Sequence, residues 1–303
     1  MHGVDTATRD RPVTAMRLGL AQGPLPADPG ELTAALAASI RALGVSALVT
    51  HFQVAPAEMP GARARRLAAI LRDAGLDIVQ YAGLRPNLVT ADSAHRRRSI
   101  GEVSEFLLTA AAVGAGMVVT GCGSHHPHHP YGPARANHSQ QSRDLLVASL
   151  TELAARAAGA GTVLALEAHC LTTLDTPENV RLILDAVDSP WVRVNFDPVN
   201  FLASIPAAYN SGDAARHAAE VLQPRLAPTA HIKDVTIQAG LVLHIAEAVP
   251  GEGLLELPSV LDTCARLLPQ PATLIVEHLG PHDAARAIAH VRRVAAECGI
   301  ELC

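Results

Sequence analysis

The chain has 303 residues, of which 49% are hydrophobic, 17% are charged and only 3% are aromatic. Its formal net charge of −5 provides no basic field for a nucleic-acid backbone. No apolar run approaches the roughly 20 residues that a membrane-spanning helix needs. The five cysteines are scattered and unevenly spaced, which argues against a disulfide framework. We therefore expect a cytoplasmic protein that binds neither nucleic acid nor membrane.

The first residues, MHGVDTATRDRP, are polar and lack the apolar core of a signal peptide. We expect residues 1–14 to form a disordered leader and residues 15–303 to form one catalytic domain. Beyond the leader, short apolar runs alternate with longer amphipathic stretches rich in Ala, Leu and Arg. The predicted strands are 17–22, 46–51, 77–82, 116–121, 162–168, 192–197, 229–233 and 273–278. The predicted helices are 29–43, 61–74, 93–113, 139–158, 176–187, 213–222, 257–267 and 281–298.

The predicted strands are almost continuously apolar, which is typical of strands buried on both faces. Eight strand–helix units in series predict an α/β fold, a single (β/α)₈ TIM barrel. Glycines follow several helical stretches, as glycines that end helices do; they are Gly44, Gly75, Gly114 and Gly159. A doubly wound sheet is less favoured, because the turn after the first strand lacks the GxGxxG pattern.

Three predicted strand-to-helix connections are long, covering residues 121–140, 201–212 and 235–253. In a barrel, all three lie on the rim formed by the C-terminal ends of the strands. Long loops in a compact domain are commonly walls of a functional site. We therefore expect the site at this rim.

Four polar residues stand at the ends of four successive predicted strands: Glu167, Asp197, His231 and Glu277. Taken singly, a carboxylate there is more often a helix cap or an ion-pair partner, and a histidine is more often a hydrogen-bonded core residue. Together they converge on one rim, where unpaired buried carboxylates would repel each other. The pattern therefore predicts one divalent cation at the C-terminal rim, with Mn²⁺ preferred and Mg²⁺, Co²⁺ or Zn²⁺ as alternatives.

The series LALEAH, NFDPVN, AHIKD, PGEG and IVEH resembles the xylose-isomerase-like TIM-barrel superfamily, the sugar phosphate isomerase/epimerase family. The resemblance extends from about Arg17 to the C-terminus. It implies that the four strand-end residues bind the metal and that Glu167 and Glu277 also act as acid/base catalysts. It further implies isomerisation or epimerisation of a sugar or keto-sugar through a cis-enediolate, with proton transfer between the two glutamates.

The chain departs from ketose 3-epimerases at two positions that contact substrate in that family. Asn200 stands where those enzymes have His, and Ile237 stands where they have Arg. The particular sugar is therefore left open. Two alternatives remain: a lyase on the same scaffold, of the inosose dehydratase or 3-keto-glycoside eliminating type, and a sugar-binding barrel without catalysis. Relatives commonly assemble as dimers and tetramers, so a homo-oligomer is one expectation.

Five residues on the predicted rim are candidates for substrate binding: His51, His126, Asn200, Lys233 and His244. For Lys233 the alternative is an ion pair with the adjacent Asp234, and for His51 it is packing at the strand end. His126 belongs to the loop SHHPHHPYG, which predicts a lid with one His or Tyr131 on the sugar or, alternatively, a second metal site. His244 matches a metal-binding His of endonuclease IV, but Val242 replaces the accompanying Asp, which argues against a DNA-repair centre.

Overall fold

Eight parallel strands form a closed barrel in the structure, a computed structural model that describes residues 14–22, 25–52, 56–59, 61–280 and 282–303. The strands pair in chain order and the last pairs with the first, which confirms the predicted TIM barrel. The barrel strands are β1 (Thr14–Gln22), β2 (Ala47–Thr50), β3 (Asp77–Tyr81), β4 (Met117–Thr120), β5 (Val163–Glu167), β6 (Val192–Phe196), β7 (Leu226–Ile232) and β10 (Thr273–Leu279).

Helices cover the outside of the barrel, each following the strand that the sequence predicts. They are α1 (Ala34–Ala42), α2 (Gly61–Asp73), α3 (Ser93–Val113), α4 (Gln140–Ala160), α5 (Pro177–Val187), the short α6 (Ile205–Tyr209), α7 (Ser211–Leu222), α8 (Leu257–Leu267) and α9 (Ala284–Glu297). Among the residues that the structure describes, no helix is both long and apolar enough to cross a membrane.

The helix ends follow from local chemistry. Asp92 caps α3 by accepting hydrogen bonds from two free backbone N–H groups of its first turn. Gly114 ends the same helix in the left-handed conformation, with φ 81°. The prediction that Gly159 ends its helix was wrong, because α4 continues through this residue and Gly161, with φ 67°, ends it.

Besides the short helix α6, two strand features of the fold were not predicted. The connection over residues 235–253 contains an antiparallel hairpin of β8 (Asp234–Ile237) and β9 (Ile245–Ala248). The C-terminus adds a short strand, β11 (Ile300–Leu302), that pairs with the first residues of β1. Thr14 already belongs to β1, and the rest of the predicted leader lies outside the described residues.

The core determines where a site can form. The main apolar core packs the outer faces of the strands against the helices. The interior of the barrel holds smaller clusters, one of which consists mostly of small residues: Ala21, Val49, Ala82, Val119 and Ile275. Because small side chains do not fill the barrel up to its rim, space remains there for a ligand.

Candidate active site

The four predicted metal ligands meet at the C-terminal rim. Glu167 is the last residue of β5, Asp197 directly follows β6, and His231 and Glu277 lie near the ends of β7 and β10. These four strands are consecutive around the barrel. One ligand atom from each residue lies within 4.8 Å of the others. No other such group of His, Cys, Asp or Glu side chains occurs in the described part of the chain, and the histidine loop forms none.

The imidazole of His231 is central to the cluster. Its Nδ1 lies 2.8 Å from Glu277 Oε2 and 3.3 Å from Glu167 Oε1. Its Nε2 lies 2.9 Å from Gln80 Oε1 on the opposite side of the ring. The ring is buried, with 3% of the residue exposed, so each of its nitrogens has a defined partner.

Lys233 contributes a buried positive charge to the same cluster. Its Nζ lies 2.8 Å from Asp197 Oδ2 and 3.1 Å from Glu277 Oε1, and the side chain is 4% exposed. The alternative ion pair with Asp234 is therefore wrong. Successive residues of an extended chain point to opposite sides, so these two neighbours face different surroundings.

The electrostatics of the cluster are those of crowded, buried charges. Burial raises the pKa of Asp197 to about 6, against the charge of Lys233, and the carboxylates of Glu277 and Glu167 add to the rise. Burial alone would lower the pKa of His231, but the charge of Glu277 and hydrogen bonds to both glutamates raise it to about 10. Burial opposes ionisation of Glu277, yet His231 and Lys233 hold the pKa of its carboxyl well below the usual range.

The donor set fits a hard or borderline divalent cation. Asp197 Oδ2 and Glu277 Oε1 are buried and accept no well-directed hydrogen bond, although the Lys233 ammonium lies near both. Buried oxygens with free lone pairs are what a cation needs. Three carboxylates and one imidazole would hold Mn²⁺ or Mg²⁺, and Co²⁺ or Zn²⁺ remain compatible.

Three members of the cluster, Glu167, His231 and Glu277, line a cavity of about 950 Å³. Of the predicted substrate-binding residues, His51, Asn200 and Lys233 line this cavity. Burial lowers the pKa of His51, and its Nδ1 has no hydrogen-bond partner, so it has a free polar atom. The lining also includes apolar residues, among them Leu25 and Leu84.

The candidate His126 of the histidine loop does not line the cavity, whereas Tyr131, the other candidate of this loop, does. His126 packs its ring against Gly132, outside the cavity lining. His129 and Tyr131 line the cavity instead, and the Tyr131 hydroxyl lies 3.3 Å from Glu167 Oε2. Burial and the charge of Glu167 raise the pKa of Tyr131 well above its ordinary value, so the hydroxyl keeps its proton and donates.

The β8–β9 hairpin forms part of the cavity rim. The Asp234 carboxylate accepts hydrogen bonds from the backbone N–H groups of Val235, Gly251, Gly253 and Leu255 at 2.8–3.0 Å. A Cβ on Gly253 would collide with this carboxylate, which explains a glycine in PGEG. His244 is exposed on the hairpin, away from the cavity lining.

A further pair of residues on this side was not predicted. Glu247 of the hairpin lies 2.8 Å from His278 Nδ1 and 3.7 Å from Lys233 Nζ. His278 has φ 56°, a left-handed conformation that costs a residue other than glycine of order 1–3 kcal/mol. The His278 residue lines the cavity wall from within the last residues of β10. The sequence offers one signal for it, the histidine that follows Glu277.

A comparison with known protein families identifies the family of this chain. A family profile described as "Xylose isomerase-like TIM barrel" matches residues 35–298. The chain belongs to this family. The comparison with curated proteins found no match.

Several solved structures share the fold at low sequence identity. A D-tagatose 3-epimerase-like protein is 15% identical, with a TM-score of 0.70 and coverage of 93% of this chain and 98% of that chain. The 3-keto-D-glucoside 4-epimerase YcjR from E. coli is 17% identical, with a TM-score of 0.68 and coverage of 92% and 99%. A xylose isomerase-like TIM barrel protein from Mycobacterium smegmatis, in complex with magnesium, is 18% identical, with a TM-score of 0.68 and coverage of 94% and 96%.

Proposed function

We propose that this protein is a divalent-metal-dependent sugar isomerase or epimerase. The observation that carries the proposal is the convergence of Glu167 and Glu277, which line the cavity, with Asp197 and His231. The similar structures that support it are an epimerase, an epimerase-like protein and a third protein of the same fold in complex with magnesium. We take Mn²⁺ as the first metal to test.

Each glutamate has two differently placed oxygens. One oxygen of Glu167 and one of Glu277 face His231. The second oxygen of Glu167 faces the Tyr131 hydroxyl, and the second oxygen of Glu277 faces Lys233. A carboxylate that shares one oxygen with a cation and keeps the other near the cavity is suited to proton transfer.

The proposed reaction is a proton transfer at a carbon next to a carbonyl. When bound, the cation supplies Lewis acidity that acidifies this C–H bond. One glutamate removes the proton to give a cis-enediolate, and the other returns a proton to the same or the neighbouring carbon. His51, Asn200 and Lys233 are proposed to contact the substrate's oxygens, and the sugar or keto-sugar is the small-molecule partner.

The test is deuterium exchange from D₂O, followed by NMR on Mn²⁺-loaded protein with a panel of ketoses and 3-keto-glucosides. Wild-type protein is expected to exchange one C–H and to form an isomer. Glu167→Gln and Glu277→Gln are expected to reduce this exchange about 10²–10⁴-fold each, the usual contribution of a general acid or base.

Glu252→Gln is the matched control, since Glu252 lies outside the cavity lining and pairs with Arg286 at 2.7 Å. Wild-type exchange rates in both glutamine variants at the rim cluster would refute the acid/base assignment. An unsaturated product or a released aglycone would identify a lyase instead. Failure of wild-type protein to bind Mn²⁺, Mg²⁺, Co²⁺ or Zn²⁺ would refute the metal dependence.

A further inference from the structure

A buried polar chain crosses the barrel interior below the rim cluster. It consists of Gln80 on β3, Asn195 on β6 and Thr229 on β7, none more than 1% exposed. β3 and β7 lie on opposite sides of the eight-stranded ring, so Gln80 reaches across the barrel. Burying a polar side chain costs free energy unless its hydrogen bonds are made, so the partners of these three residues show what they do.

The hydrogen bonds fix the direction of the chain. Gln80 Nε2 donates to Asn195 Oδ1 at 2.8 Å and to Thr229 Oγ1 at 2.9 Å. Thr229 Oγ1 itself donates to Asn195 Oδ1 at 2.7 Å. Both N–H bonds of the Gln80 amide are therefore used, and its Oε1 remains for His231 Nε2 at 2.9 Å. Because a carbonyl oxygen only accepts, His231 Nε2 carries the proton.

The consequence concerns the opposite ring nitrogen. In neutral imidazole, a proton on Nε2 leaves the lone pair on Nδ1. Nδ1 is the atom that faces Glu167 and Glu277. If the Gln80 amide were reversed, its NH₂ group would face Nε2, the proton would move to Nδ1 and the ligand atom would be blocked.

We propose that Gln80 is a positioning residue that holds His231 in the Nε2–H form and presents Nδ1 to a divalent cation. The proposal rests on the metal dependence of the proposed function, and it extends the site to β3, on the far side of the barrel from His231. Hydrogen bonds of this kind to a ligating histidine typically change metal affinity by about 10–100-fold.

The first experiment measures Mn²⁺ binding by isothermal titration calorimetry on metal-stripped protein. Gln80→Met, which fills a similar volume without an acceptor, is expected to weaken binding about 10–100-fold. Gln80→Glu is expected to restore wild-type affinity or exceed it, because it keeps an acceptor for Nε2–H. The second oxygen of this new carboxylate can also be satisfied, because the Asn195 amide can turn its unpartnered Nδ2 toward it and donate a hydrogen bond.

Thr50→Val is the matched control, since Thr50 is a buried residue of the neighbouring strand β2 whose hydroxyl has no hydrogen-bond partner. Its Mn²⁺ affinity and Co²⁺ absorption spectrum should equal those of wild-type protein. Gln80→Met should shift the Co²⁺ spectrum, which a change in packing alone would leave unmoved. Wild-type affinity in Gln80→Met, or equal weakening in Gln80→Met and Gln80→Glu, would overturn the proposal while leaving the metal dependence intact.

A second measurement needs no variant that might fail to fold. ¹⁵N NMR of Zn²⁺-loaded wild-type protein labelled on histidine is expected to show His231 with its proton on Nε2 and the metal on Nδ1. The reverse assignment would overturn the proposal. Absence of any metal binding by wild-type protein would instead refute the metal dependence, and this inference with it.

Discussion

Metal binding to this site should release a proton from His231. In the metal-free protein the pKa of His231 is raised to about 10, despite burial, by Glu277 and Glu167. The imidazole is therefore charged at pH 7–9, and a cation on Nδ1 has to displace a proton. Asp197, whose pKa is raised to about 6 by burial, is already ionised in this range. One proton per cation is the expected exchange.

The size of the effect follows from this exchange. While one proton is released on binding, the affinity rises about tenfold per pH unit, or about 1.4 kcal/mol. Between pH 7 and pH 9 the dissociation constant of Mn²⁺ should therefore fall about 100-fold. The slope should level off as the pH approaches about 10, the pKa of His231.

Calorimetry tests the exchange directly. At one pH, the observed binding enthalpy in buffers of different ionisation enthalpy gives the number of protons released, which should be close to one. Titrations are done without oxygen so that Mn²⁺ stays reduced. Binding that persists with an affinity flat from pH 7 to pH 9, and with no proton released, would refute the assignment of the proton to His231.

The raised pKa of His231 also makes the stability of the metal-free protein depend on pH. A histidine whose pKa is raised on folding stabilises the fold fully below its unfolded pKa, about 6.5, and this contribution is lost as the pH rises through about 10. The melting temperature of metal-stripped protein should therefore fall from pH 7 to pH 10. His231→Gln should flatten this dependence, and an unchanged slope in that variant would contradict the argument.

Three further predictions follow from other contacts. Lys233→Met removes the ammonium group from two buried carboxylates and should lower the free energy of unfolding of metal-stripped protein in urea by about 3–5 kcal/mol. The loss should be smaller when Mn²⁺ is bound, and equal losses with and without Mn²⁺ would contradict this. Asp234→Ala removes the acceptor of four backbone N–H groups and should lower the free energy of unfolding by at least about 2 kcal/mol. An unchanged free energy of unfolding would show that the PGEG loop keeps its structure without this carboxylate. Cys122 is buried, and burial raises the pKa of its thiol, so it should stay unlabelled by a thiol reagent in native protein while the exposed Cys298 reacts.

The barrel and the convergence of the four candidate ligands could be predicted because they depend on local patterns. Apolar runs alternating with amphipathic stretches specify the order of strands and helices. Since parallel strands of a barrel end on one rim, Glu167 and Glu277 meet although 110 positions separate them in the sequence. No knowledge of side-chain packing was needed for that step.

The remaining contacts depend on packing that the sequence pattern does not encode. Gln80 lies in the apolar run DIVQY, and only the closure of the barrel brings it to His231 from the opposite side. Which histidine of the 125–129 loop faces the cavity depends on Ser124 and Asn137, whose hydrogen bonds fold the loop. Similarly, the hairpin that carries His244 away from the cavity forms through backbone pairing over 234–248.

Charge balance explains why a lysine belongs to this cluster. Without metal, three ionised carboxylates face two cations, the protonated imidazole of His231 and the ammonium of Lys233. When a dication takes the place of the His231 proton, the three negative charges are matched by the dication and Lys233 together. A second dication would leave an excess of positive charge, which is unfavourable in a buried site. The charges of these residues thus favour one metal ion, with Lys233 as the remaining cation beside Asp197 and Glu277.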